Sequence, residues 1–153
     1  MDVDVTTDVV VCCPRTRVAA FATDPLNAPR WYANIRSVEL LTDPPVRLGS
    51  RMRFVAAFLG RRIDYIYEVL ELVPGERLTM STASGPFPMT TTYSFEDVEG
   101  GTRMTLRNHG SPRGFGAVAG PVMRRAIERA NRKDLDAIKA LLEADTRPGA
   151  PAQ

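Results

Sequence analysis

Residues 51–82 read RMRFVAAFLGRRIDYIYEVLELVPGERLTMST, three runs of alternating side chains separated by Leu59-Gly60 and by Pro74-Gly75-Glu76. Alternation with a period of two is the pattern of a strand buried on one face, because successive side chains of an extended chain point to opposite sides. Breaks this short join antiparallel neighbours, whereas parallel strands need a long crossover. The alternation also assigns faces. Met52, Phe54, Ala56 and Phe58 share one side of the first run; Ile63, Tyr65, Tyr67 and Val69 continue it in the second, and Leu78, Met80 and Thr82 in the third. Arg51, Arg53, Asp64 and Glu68 fall on the opposite side.

The same reading extends outward in both directions. Strands are expected over 35–42, 50–58, 62–73, 77–84, 87–97 and 102–109, with Gly100-Gly101 marking the last turn. Their inward sets continue as Met89, Thr91, Tyr93 and Phe95, then Met104, Leu106 and Asn108. Upstream, residues 3–13 are rich in Val and Thr and put Val9, Val11 and Cys13 on one side of a first strand. Pro14 suits the first turn of a helix, where its missing N–H is not needed, and Val18 and Phe21 then stand one turn apart. Residues 24–34, DPLNAPRWYAN, hold two prolines and read as a second short helix or a turn that buries Trp31 and Tyr32.

From 121 to 143 the period changes. Val122, Met123, Ala126, Ile127, Ala130, Ile138, Leu141 and Leu142 recur at helical spacing, opposite Arg125, Glu128, Arg129, Arg132, Asp136, Lys139 and Glu143. The expected architecture is α+β: a seven-stranded curved antiparallel sheet, two short helices between its first and second strands, and a long C-terminal helix against its concave side. One helix cannot fill the concave side of so many strands, so a cavity is expected between them.

Composition sets the remaining bounds. A chain of 153 residues buries a core without disulfides or structural metal, and one domain over 1–145 with a disordered tail over 146–153 is the simplest division. Twenty Lys plus Arg against 18 Asp plus Glu leave a charge of +2, too balanced to indicate nucleic acid. Cys12 and Cys13 are adjacent and point apart, a poor geometry for a mutual disulfide, which suits a reducing compartment. The N-terminal segment has neither a signal-peptide pattern nor a membrane span, so a cytoplasmic location is expected. One histidine and two neighbouring cysteines offer no zinc spacing, and no P-loop, dinucleotide or GxSxG motif is present; no cofactor is expected.

The element order, together with VVVCCPRTRVAAFATDP (residues 9–25), LGSRMRF (48–54), YEVLELVPGERL (67–78) and GGTRMTL (100–106), resembles the START-like, helix-grip superfamily, also called SRPBCC, in its polyketide cyclase/dehydrase-like branch. The resemblance covers about residues 5–143. It implies a deep hydrophobic cavity between sheet and C-terminal helix, with members that carry lipids, bind hormones or cyclise polyketides. It also implies that Trp31 and Tyr32 lie near the cavity mouth.

The candidate ligand-binding set is therefore Trp31, Tyr32, Met52, Phe54, Phe58, Tyr65, Tyr67, Met80, Met89, Tyr93, Asn108, Phe115, Val118 and Val122. It mixes apolar and thioether surface with a few hydroxyls and one amide, as suits an apolar ligand oriented by a few hydrogen bonds. Within RNHGSPRGFGAVAGP (107–121), Phe115 and Val118 are expected to close over the ligand as a gate made pliable by four glycines. His109 is expected to face outward. Arg124, Arg125, Arg129, Arg132 and Lys133 interleave with Glu128, Asp134 and Asp136, which reads as a solvated helix face with local ion pairs. With no acid or base facing inward and tyrosine a poor base, binding of an aromatic, polyketide-like or lipid-like molecule is the first expectation. A metal-free aromatase/cyclase activity is the second, catalytic residues being unassigned. The partner is a small molecule rather than nucleic acid or membrane, and the chain is expected to be a monomer or homodimer.

Overall fold

A computed structural model describes residues 3–84, 88–111 and 120–144. The proposed gate residues Phe115 and Val118, and the tail 146–153, lie outside the described residues.

Seven strands form one antiparallel sheet: β1 (Val3–Val11), β2 (Ile35–Leu40), β3 (Arg51–Phe58), β4 (Arg61–Val73), β5 (Arg77–Ser84), β6 (Met89–Val98) and β7 (Gly101–Gly110). The order across the sheet is β1-β7-β6-β5-β4-β3-β2. Strands β2 to β7 make the expected meander, while β1 leaves its sequence neighbour and pairs with β7, Val3 opposite Gly110 and Val11 opposite Thr102. The chain therefore crosses from one edge of the sheet to the other through α1 (Arg15–Ala22), a 3-10 turn (Pro25–Asn27) and α2 (Ala28–Trp31). Pro14 sits just ahead of α1 as its N-cap, and Asp24 caps the 3-10 turn by accepting the Leu26 N–H at 3.0 Å. β1 stops at Val11, short of the expected Cys13, because Cys13 turns back to donate its N–H to Val11 at 2.8 Å.

Register shifts interrupt β2–β3 near Ile35/Ser37 and β4–β5 at Ile66/Tyr67 and Val69/Glu71. Each such irregularity adds twist and bend, which helps the sheet curve around its helix. At the β6–β7 turn, Gly100 and Gly101 adopt φ of 86° and 150°. A Cβ on Gly101 would stand 2.1 Å from the Val11 carbonyl oxygen, so the close approach of β1 to this hairpin requires glycine.

The long helix α3 (Gly120–Ala144) lies over the sheet beside β1. Its basic residues do more than face solvent. Arg132 donates to the Asp8 carbonyl at 2.8 Å and Lys139 to the Val10 carbonyl at 2.8 Å, while Glu143 accepts the Cys12 N–H at 2.9 Å. β1 is an edge strand, and these bonds satisfy backbone groups along the side it does not share with β7. Part of the face read as solvated is thus a seam between helix and strand.

The inward positions expected from alternation in β3 to β7 face the helix side, where they pack into two apolar clusters or line the space between them. One cluster gathers Val18, Trp31, Met52, Leu78, Phe95, Met104, Leu106, Leu135, Ile138 and Leu142 with their neighbours; the other gathers Val3, Val5, Ile63, Met89, Met123 and Ile127. Along α3 the clusters are separated by the turn that carries Ala130, Asn131 and Asp134.

Candidate functional site

The gap between the two clusters is a cavity of about 130 Å³. One water needs only ~10–15 Å³ of such space, so the cavity is several times larger than a single-water site. Its apolar wall comes from Phe54, Ala56 and Phe58 on β3, Ile63 on β4, Met80 on β5, Met89 on β6, and Met123 and Ile127 on α3. Polar groups converge on it from far apart in the chain: Tyr32 and Asn34 after α2, Tyr65 and Tyr67 on β4, Thr82 on β5, Thr91 and Tyr93 on β6, Asn108 on β7, and Asn131 and Asp134 on α3. All four tyrosines of the chain line this one space.

Of the residues singled out from sequence, Tyr32, Phe54, Phe58, Tyr65, Tyr67, Met80, Met89, Tyr93 and Asn108 line the cavity. Trp31 and Met52 do not. Both are buried in the larger cluster, Trp31 stacked behind the lining with its ring 4.1 Å from Tyr32 and 5.7 Å from Tyr93. Val122 is a correction: it is 58% exposed, because the inward stripe of α3 runs through its neighbour Met123 and then Ile127, one turn on. His109 stays off the cavity, half-buried in a shallow groove with Asp4, Ser81 and Thr90. Arg53 and Asp64 pair on the outer face, Nε to Oδ1 at 2.9 Å, as do Arg51 and Glu68 at 3.1 Å.

The rings of Phe54, Tyr65 and Tyr67 form a wall with centroids 5.2–5.6 Å apart, two of the three pairs edge-to-face. The hydroxyls of Tyr32 and Tyr93 share a short hydrogen bond elsewhere on the lining. Burial pushes the Tyr67 phenol up to about 12, only partly offset by its bond to Thr91. Burial also raises Tyr32, Tyr65 and Tyr93 above the ordinary phenol range, so all four act as neutral hydroxyls.

Asp134 departs furthest from the sequence reading. Expected among solvated helix charges, it is 2% exposed and lines the cavity. One carboxyl oxygen accepts the Ala33 backbone N–H at 2.9 Å. Burial lifts its pKa to about 7, against smaller lowering by that bond and by Lys133. A signal for it exists in the sequence: starting from Ile127, the positions four and seven residues on are Asn131 and Asp134, which continue the inward stripe toward Ile138. Asn131, which hydropathy also passes over, is 4% exposed. The carboxyl is poised to give or take a proton near neutrality, the property asked of a general acid or base. Among the described residues no group of three His, Cys, Asp or Glu side chains is placed to hold a metal, and no helix is long and apolar enough to cross a membrane.

The family profile described as polyketide cyclase / dehydrase and lipid transport matches residues 2–143. No curated protein sequence matches. Among solved structures, the Zhui aromatase/cyclase from Streptomyces sp. R1128 superposes with a TM-score of 0.81 at 17% identity, covering 99% of this chain and 100% of its own. A START superfamily protein from Mycobacterium smegmatis gives 0.82 at 16% identity, over 94% and 99%. A protein from Thermus thermophilus gives 0.80 at 19%, over 95% and 100%. At these identities the likeness is one of fold.

Proposed function

The chain belongs to the polyketide cyclase / dehydrase and lipid transport family, and on that footing we propose that it binds a hydrophobic small molecule, aromatic, polyketide-like or lipid-like, between the sheet and α3. The observation that carries this reading is the break in the inward stripe of α3. Where close packing calls for large apolar side chains, the helix presents Ala130, Asn131 and Asp134, and a cavity walled by Phe54, Tyr65 and Tyr67 remains. Burial of ligand surface supplies the affinity at roughly 25 cal/mol per Å². Native mass spectrometry of protein recovered from its own host, followed by denaturation and identification of the released compound, tests it. A stoichiometric hydrophobic compound is the expected result. An empty protein that also takes up no apolar probe in solution would end this reading.

A second reading, cyclisation or dehydration of a polyketone in the same cavity, is favoured by Asp134. Its carboxylate can accept a proton from the carbon beside a ketone, leaving an enolate whose oxygen the neutral tyrosine hydroxyls stabilise; the enolate carbon then adds to a second carbonyl of the same molecule, and the resulting alkoxide takes up the proton from the Asp134 carboxyl. With a diketone that cannot cyclise, the carboxyl exchanges its proton with solvent and reprotonates the carbon. The test is deuterium uptake from heavy water at the α-carbon of a simple diketone. Acceleration by the protein that disappears in Asp134→Asn supports catalysis, and uptake at the uncatalysed rate rejects it.

A further inference from the structure

Away from the cavity, β1 and α3 enclose an open groove of about 450 Å³ lined by Thr6, Thr7, Arg125, Glu128, Arg129 and Arg132. None of the six lines the cavity. Arg125, Arg129 and Arg132 share one face of α3, following one another about 6 Å and then about 4.5 Å along its axis. Acids nearby would neutralise such a row, but each is engaged by another arginine. Glu128 pairs with Arg124, Oε1 to Nε at 3.0 Å. On β1, Asp4 pairs with Arg107 at 2.7 Å and Asp8 lies 3.9 Å from Arg103. Arg132 gives one N–H to the Asp8 carbonyl, whereas Arg125 and Arg129 have no hydrogen-bond or ion-pair partner among the described residues.

Thr7 is an independent sign of a ligand. The positions before it on the same face of β1, Val3 and Val5, are packed in the core. Thr7 continues that face at 9% exposure, lines the groove, and has no partner for its hydroxyl among the described residues. The hydroxyl is not sealed off: the unpartnered side-chain polar atoms without access to water there are Trp31 Nε1 and Asn131 Nδ2. A buried strand position thus presents an unused donor to a groove lined by three guanidiniums.

The planar N–H forks of arginine match the oxygens of phosphate and carboxylate alike. Charge separates the two. A phosphate monoester brings about −1.5 to −2 near neutrality and three acceptor oxygens, enough to engage both unpaired guanidiniums and the Thr7 hydroxyl together. We propose that this groove is a phosphate-monoester site, with Arg125 and Arg129 as its charged donors and Thr7 as its neutral one. The site stands or falls independently of what the cavity binds. A phosphorylated metabolite and a phosphatidic acid headgroup present the same group, and the test separates them.

The full chain is titrated by calorimetry with glycerol phosphate and with acetate, and sedimented with vesicles of phosphatidylcholine alone or in equal mixture with phosphatidic acid. Glycerol phosphate should bind at least about tenfold more tightly than acetate. Arg125→Gln and Arg129→Gln should each weaken its binding about tenfold, and the isosteric Thr7→Val about fivefold. A double variant, Arg36→Gln with Arg47→Gln, removes the same charge as Arg125→Gln with Arg129→Gln, but from exposed positions on and after β2, at the opposite edge of the sheet. It controls for unspecific attraction and should change binding less than about twofold. The Nε–H resonances of Arg125 and Arg129 in the unsubstituted protein should shift as glycerol phosphate binds, a readout that needs no variant. Binding of glycerol phosphate in this pattern supports the site with a soluble monoester as its ligand. Sedimentation with the phosphatidic acid vesicles alone, lost with Arg125 and Arg129, supports it with a lipid headgroup. Binding of neither, equal losses in the two double variants, acetate bound as tightly as glycerol phosphate, or unmoved arginine resonances where glycerol phosphate binds overturns the proposal.

Discussion

Asp134 on α3 accepts the backbone N–H of Ala33, just past α2, at 2.9 Å, so a carboxyl that lines the cavity also ties the long helix to the chain segment carrying Tyr32. The bond holds one oxygen in place and offsets only part of the burial penalty, leaving a pKa of about 7 against an ordinary 3.8.

That displacement makes stability depend on pH with a definite sign. The native state holds the Asp134 proton to about pH 7 while the unfolded chain releases it near 3.8. The contribution is therefore fully present below the lower value and is lost as pH rises through the upper one, by up to about 4 kcal/mol. Exposed acids such as Asp4, Asp64 and Glu71 are held low by arginine partners and act in the opposite sense at acid pH. The informative quantity is thus the difference between the unsubstituted protein and Asp134→Asn, which keeps an acceptor for Ala33. Urea unfolding from pH 4 to 8 should show the variant gaining relative stability as pH rises; a difference independent of pH would refute the assignment.

The four cavity tyrosines should titrate as one. Because burial raises Tyr32, Tyr65, Tyr67 and Tyr93 alike, phenolate absorbance at about 295 nm should stay flat past pH ~10 and then rise together with loss of near-ultraviolet circular dichroism. Each protonated phenol stabilises the native state below its unfolded value, and that contribution falls as pH climbs toward its folded one. Gradual ionisation near the ordinary phenol value in the folded protein would mean that the rings are open to solvent.

Filling the cavity should separate binding from folding. Ala130 lines it from a half-buried helix position, so Ala130→Phe projects a ring into existing space. Stability should change by less than about 3 kcal/mol. Uptake of apolar probes, measured by calorimetry, should be abolished. Undiminished uptake by the folded variant would place the ligand elsewhere.

Gly101→Ala should be strongly destabilising although the residue is not part of the cavity lining. Its Cβ would meet the Val11 carbonyl oxygen at 2.1 Å at a φ of 150°, forcing β1 away from the β6–β7 turn. A loss above about 2 kcal/mol in chemical unfolding is expected. Gly60→Ala is the control, since its Cβ would meet nothing within 4 Å and only the backbone cost of its φ of 75° applies.

Arg53→Gln should leave both probe binding and the unfolding midpoint unchanged within error. The guanidinium pairs with Asp64 on the outer face of the sheet, where solvent screens the interaction. Weakened binding in this variant would mean that the β3 register differs from Arg53 opposite Ile66.

Much of the sheet is legible in the alternation alone. Side-chain direction along a strand is set by the local backbone, so the pattern puts Phe54, Tyr65, Tyr67, Met80, Tyr93 and Asn108 on the cavity side without knowledge of their partners. Helix direction is less legible when α3 is read by hydropathy. That reading does not name Leu135, admits Val122, puts Asp134 among solvated charges and passes over Asn131, although the 3.6-residue period carries the stripe through both polar positions.

Strands, faces and the existence of a long helix follow from short-range geometry, which is why the order of residues suffices to specify them. Three features instead require the folded chain. β1 pairs with β7 rather than with β2, a contact between segments far apart in the chain that no local pattern encodes. Arg132 and Lys139 close the outer edge of β1, which follows from where the helix lands. The pKa of Asp134 depends on how completely the surrounding sheet removes it from water. Which polar groups meet in the cavity, and with what proton affinity, is settled only at that level, because desolvation and hydrogen bonding depend on distant residues arriving at the same place.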